Sequence, residues 1–111
     1  MFVEEVSTPE KMAQGLSNRI SLAENQGMLF NFGDNASVTP EFWMKDMEFD
    51  LDLIWIKNKK IIGLTNNVPA PKINNAALTI YRPQSPVDEV LEVKAGWAEK
   101  NKIRIGDEVI K

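Results

Sequence analysis

Cysteine and histidine are both missing from this chain, and their absence removes most of the common chemistry of catalytic and metal sites. Zinc held by nitrogen and sulfur, haem attached through thiols and thiolate-bound iron–sulfur clusters are all excluded. So are Cys–His nucleophiles and the Ser–His–Asp triad, which need a thiol or an imidazole. With no cysteine there is also no disulfide to indicate, or argue against, an oxidising compartment. The chain lacks a glycine-rich phosphate cradle and an apolar run approaching the roughly 18–20 residues that span a bilayer. Its first residues, MFVEEVSTPE, lack the basic and apolar regions of a signal peptide. They suit either a cytoplasmic protein or a mature domain already separated from its targeting segment. What remains for catalysis is carboxylates, Lys, Arg, Tyr, hydroxyls or an oxygen-ligated ion.

What is present describes an ordinary globular domain. The chain has 111 residues, 43% apolar and 26% charged, enough for one core but not two, so a single domain over 1–111 is expected. Thirteen basic against sixteen acidic residues leave a net charge of −3, which argues against a nucleic-acid partner. Only a local patch at Lys57, Lys59 and Lys60 runs the other way.

Along the chain, Val3 and Val6 suggest a short opening strand, and Thr8-Pro9-Glu10 has the cap, proline and acid of a helix start. Met12 and Leu16 share that helix's buried face, while Ser21 and Glu24 have capping-box spacing and predict a second helical turn before Gly27. From Gly27 the apolar period changes to two: Met28, Phe30 and Phe32 alternate with Leu29 and Asn31. Further strands are predicted over Phe42–Met47, Leu51–Ile56, Lys60–Leu64 after a tight Asn58-Lys59 turn, and Val87–Val93. Thr65 to Asn75 reads as a surface loop, Leu78–Tyr81 as an extended run, Gly96–Asn101 as one helical turn ending left-handed at Asn101, and Ile103–Ile105 as a closing strand. Short strands at close spacing indicate a mostly-β sandwich or barrel, with one or two short helices near the N-terminus.

Six segments carry a resemblance: Gly15-Leu16-x-x-Arg19, Gly27-Met28-Leu29-Phe30-x-Phe32, Phe42-Trp43-Met44-Lys45, Leu51-Asp52-Leu53, Leu91-Glu92-Val93 and Gly106-Asp107. In order and over nearly the whole length, they resemble the signature of domain-of-unknown-function family 192. The resemblance implies a compact, mostly-β, jelly-roll-like domain, widespread in prokaryotes and often placed behind a signal or membrane anchor, hence extracytoplasmic in many relatives. It implies no established activity, cofactor or catalytic residue. Two departures stand out: Ser17 occupies a position usually held by Met, and Pro69–Ala77 has none of the cysteines found there in many relatives.

Within this frame the polar residues in or beside apolar runs are the candidate site: Arg19, Lys45, Asp52 and Glu92. A charge held near a core needs a partner, since stranding one costs several kcal/mol. One reading is structural, pairing Lys45 with Asp52 across a hairpin and Arg19 with Glu92 between helix and sheet. The other is the polar floor of a ligand pocket. Trp43 and Trp55 are possible stacking platforms for a sugar, although core burial is the commoner fate of an indole. Strand parity puts Trp43 beside Lys45, opposite Phe42 and Met44. Asp46, Glu48, Asp50 and Asp52 alternate but lack the spacing of an EF-hand loop, so no metal is expected. Trp97 is expected to clamp the C-terminal segment. These features point to a binding or accessory module for a small polar or glycan-like ligand touching Arg19, Trp43, Lys45, Asp52 and Glu92, without a cofactor. Two alternatives stand beside it: a carboxylate-dependent hydrolase using Asp52 and Glu92, and a protein-interaction module acting through a sheet edge.

Overall fold

The computed structural model describes residues 1–71 and 79–109. It is mostly β: strands β1 (Phe2–Val6), β2 (Gln26–Asn31), β3 (Leu51–Lys57), β4 (Lys60–Val68) and β5 (Glu89–Lys94), with short helices α1 (Pro9–Gln14) and α2 (Trp97–Lys100). The strands form one sheet in the order β1-β2-β5-β3-β4. Only β1 and β2 run parallel; every other neighbouring pair is antiparallel. The sheet is open, so the part of the expectation that holds is a mostly-β fold, without barrel closure.

Period-two alternation gives this sheet two apolar faces, and both are covered. Met28, Phe30, Leu53, Trp55 and Val90 enter the larger core with Leu16, Met44 and Met47. Leu29, Ile54, Ile56, Ile61 and Val93 enter the smaller one, where Trp97, Ile103 and Val109 pack against them. Trp97 thus packs on the same core cluster as Ile103 and Val109 of the C-terminal segment. Trp55 is a core residue, 3% exposed, whose indole N–H donates to Thr65 Oγ1 at 2.9 Å; it offers no stacking surface.

Local chemistry explains the helix and turn that were expected. Thr8 caps α1 by accepting from the Lys11 N–H, Pro9 opens the helix, and the Gly15 N–H closes it on the Lys11 carbonyl. Gly15 has φ 50° and ψ −131°, a conformation that side chains disfavour. Asn58 and Lys59 both take positive φ, as a two-residue hairpin turn requires.

Other expectations are corrected. Ser21–Glu24 makes no helix: the Gln26 side chain and N–H both bond Ala23, and the chain turns directly into β2. The second helix is the helical turn expected at Gly96–Asn101, far from the N-terminus, but the left-handed residue after it is Lys102, not Asn101. Phe42–Met47 is not a strand, since only Phe42 pairs, with Tyr81, and Asp46 turns the chain at φ 62°. Ile103–Ile105 is likewise a turn-rich segment rather than a strand. The expected loop ending at Asn75 begins later, because Thr65–Val68 belongs to β4. Residues 72–75 of that loop, and Leu78 of the predicted extended run, lie outside the described residues.

Candidate functional site

The Phe42–Met47 segment shapes one wall of an open cavity on the larger core face. Phe42 is its anchor: its ring meets Phe30 edge-on at 5.1 Å and Trp55 at 5.6 Å, and its backbone exchanges two 2.8 Å hydrogen bonds with Tyr81. With Phe42 turned inward and Met44 buried, Trp43 is left outward and 53% exposed. The alternation read from the sequence therefore survives, although the segment is no strand. Lys45 Nζ lies 5.6 Å from the centroid of the Trp43 ring, a cation–π contact.

The opposite wall is the end of α1 and the residues after it. The Asn18 N–H donates to the Asp46 carbonyl at 2.8 Å and ties the two walls together. Between them lies a cavity of about 450 Å³, lined by Met12, Gln14, Gly15 and Ser17 on one side and by Glu41, Trp43, Lys45 and Asp46 on the other. Phe30, Phe32, Phe42 and Glu92 also face it.

Glu92 is the unusual member of this set. It is 5% exposed and flanked across the sheet by Met28 and Leu53, so it shares their face. Oε1 lies against Gly15, 3.7 Å from where a Cβ on that glycine would stand. Among the described residues none hydrogen-bonds or ion-pairs with the Glu92 carboxyl. Desolvation is the cause of its shifted proton affinity: burial pushes the carboxyl up to about 8, so it holds its proton at neutral pH. The group is thus a neutral hydrogen-bond donor on a cavity otherwise walled by aromatics and mixed polar groups.

Of the five candidate residues, the fold brings Trp43, Lys45 and Glu92 to this cavity and takes Arg19 and Asp52 elsewhere. Arg19 pairs with Glu4 of β1 at 2.8 Å rather than with Glu92. That pair is solvent-exposed and contributes about 1 kcal/mol at most. The expected Lys45–Asp52 pair is absent too, because Asp52 is 1% exposed and accepts three backbone N–H groups. These come from Asn67 at 2.8 Å, Gly96 at 3.1 Å and Ala98 at 3.0 Å, so Asp52 holds the start of α2 and the end of β4. Register settles the hydrolase alternative: Asp52 stands opposite Val93 and Leu53 opposite Glu92, so the two carboxylates point to opposite faces of the sheet. They cannot flank one glycosidic bond.

Sequence reasoning missed Gly15, Asp46 and Phe32 as cavity residues. Asp46 was read only as one of an acidic series, and no local signal reports that its carbonyl meets Asn18. Glu92 was legible: it follows Val90 by two positions in a strand, so it had to share the face of a core valine.

Two solved structures are similar to the chain. One is a protein of Sinorhizobium meliloti 1021, provisionally described as a transcription regulator, 31% identical, with a TM-score of 0.82 over 96% of this chain and 78% of that one. The other, from Novosphingobium aromaticivorans DSM 12444, is a protein of unknown function, 26% identical, with a TM-score of 0.85 over 98% of this chain and 74% of that one. No curated protein matches the chain significantly. The family model of DUF192, described as an uncharacterized ACR, matches residues 1–110. With its segments in order and that match over nearly its whole length, the chain belongs to the domain-of-unknown-function family 192.

Proposed function

We propose that this chain is a binding module that holds a small polar ligand, glycan-like in size, in the cavity between the end of α1 and the Phe42–Met47 segment. The observation that carries this reading is Glu92: a buried carboxyl with no partner among the described residues, lining a cavity rimmed by a half-exposed indole. A group left unpaired in a folded chain costs stability, and a ligand that hydrogen-bonds to it recovers part of that cost. About 450 Å³ falls within the range of small-molecule sites. Trp43 supplies the flat apolar surface, Lys45 a cation at the rim, and Glu92 the buried polar contact that fixes orientation.

A sheet-edge interaction module has its counterpart in β1, where Phe2 and Val3 are exposed at the edge of the sheet. The ligand reading is preferred because it alone accounts for Glu92. The provisional description of the Sinorhizobium protein as a transcription regulator finds little support in the charge of this chain, which is −3. Three of its basic side chains, Arg19, Arg82 and Lys100, are already paired with Glu4, Glu41 and Glu24.

The Trp43 indole N–H signal in an NMR spectrum of 15N-labelled protein tests the proposal. A panel of sugars, polyols, amines and small acids at millimolar concentration should contain members that shift it together with the Gly15 amide. A panel that moves neither signal sinks the ligand reading.

A further inference from the structure

We infer that the ligand is an organic cation, a guanidinium or ammonium group carried on a small apolar body, with its charge against Glu92 and its body against the aromatic wall. This inference rests on the cavity being a ligand site and adds the chemical class.

Three observations converge on it. The first is the carboxyl itself, which lies at least nine-tenths buried on the cavity and has no donor among the described residues. A neutral ligand can accept one hydrogen bond from its protonated form. A cation can do more, because it brings the charge that lets the carboxyl ionise, and charge-assisted hydrogen bonds are about twice as strong as neutral ones. The second is the balance of the other ionisable groups on the cavity: Glu41 and Asp46 against Lys45. Glu41 is paired with Arg82, Asp46 lies at the turn, and Lys45 is drawn onto Trp43. Among the described residues no cation is held against Glu92, so the position beside it is left for one. The third is the wall. Phe30, Phe32, Phe42 and Trp43 all line the cavity, and aromatic faces attract cations. The chain's own Lys45 ammonium already rests over the Trp43 ring, which shows that this face accepts one.

The same chemistry is available free in solution or as an arginine or lysine side chain of a peptide, and the two sources are separable. Butylguanidinium and its neutral isostere butylurea, glucose, and a capped Ala-Arg-Ala peptide are titrated into the full chain at pH 6.5 and 8.5, with affinity read by calorimetry and location by the Gly15 and Trp43 NMR signals. Binding of a permanent cation draws the proton off Glu92. Affinity for butylguanidinium should therefore be about twentyfold higher at pH 8.5 than at pH 6.5, as a carboxyl titrating near 8 requires. Butylurea, if it binds, should show the opposite slope. Glu92→Gln should remove the pH dependence and weaken the cation at least tenfold, whereas Lys45→Gln, which removes the competing ammonium, should strengthen it severalfold. Tighter binding of Ala-Arg-Ala than of butylguanidinium assigns the cation to a peptide, and the reverse assigns it to a free metabolite. Glucose or butylurea shifting both signals while the cations shift neither overturns this inference and leaves the ligand reading standing. Cation binding that ignores both pH and Glu92→Gln also overturns it. If nothing in this set or the wider panel shifts either signal, both readings fall.

Discussion

Replacing Glu92 with glutamine is expected to stabilise the protein by about 16 °C in melting temperature at pH 8, with little change near pH 4.5. The unfolded chain releases the Glu92 proton from about pH 4.5 upward, whereas the native chain retains it to about 8. The folded value is the higher one, so native stability falls as pH rises between those limits and is level above them. Each unit within the window costs about 1.4 kcal/mol. A carboxyl this buried therefore lowers stability by an amount on the order of 4 kcal/mol by pH 8, and a chain of this size shifts by roughly 4 °C per kcal/mol. Glutamine has nearly the same shape and does not ionise, so the difference between the two melting curves isolates this one group. Parallel curves from pH 4.5 to 8.5 would mean that Glu92 titrates normally and is not held neutral by burial.

The opposite effect is expected at Asp52. Its carboxylate takes the N–H groups of Asn67, Gly96 and Ala98 inside the structure. Asp52→Ala takes the acceptor from the buried Ala98 N–H and from the part-buried Asn67 and Gly96 N–H groups, at about 1–3 kcal/mol for each group left unsatisfied. The loss should be at least about 4 kcal/mol, a large share of the 5–15 kcal/mol typical of a folded domain. Asp52→Asn keeps one acceptor oxygen but turns an NH₂ toward the remaining donors, so roughly half of that loss is expected. Lys45→Ala, on the surface, should stay within about 0.5 kcal/mol, and the Lys45→Ala, Asp52→Ala pair should add without coupling because the two side chains do not meet. Urea denaturation with an unchanged m-value measures all four variants. A loss below about 1 kcal/mol for Asp52→Ala, or clear coupling to Lys45, would contradict the capping role.

Glu92 and Asp52 also mark how far the sequence could be read. Both were visible as misplaced charges, because each sits in an apolar strand and strand parity is local. Parity even places Glu92 on the face of Val90, and Asp52 on that of Ile54 and Ile56. What parity cannot supply is the pairing register between β3 and β5, set by residues some 40 positions apart in sequence. Register puts Asp52 opposite Val93 and so separates the two acids. The helix start at Thr8-Pro9 and the Asn58-Lys59 turn were legible because cap and turn chemistry acts over two to four residues. Ser21–Glu24 has equally good local chemistry, but the Gln26 side chain and N–H take the Ala23 backbone groups and turn the chain straight into β2. Trp43 was placed correctly for a different reason from the one supposed. It is turned out by the Phe42 ring packed on Phe30 and Trp55, not by a strand. The cavity was the least legible feature. Its walls are joined by the Asn18–Asp46 contact between two left-handed residues, and no sequence period announces such a contact.

The proposed site depends on a carboxyl on the cavity that is buried, protonated and without a partner among the described residues. The most direct measurement is a 13C NMR titration of the Glu92 side-chain carboxyl in the folded protein, assigned by comparison with Glu92→Gln. The predicted result is a single transition centred near pH 8, well separated from the other glutamates. A transition near 4.5 would show that Glu92 is ionised at neutral pH and already solvated or paired, and the cavity would lose the group that makes it a site.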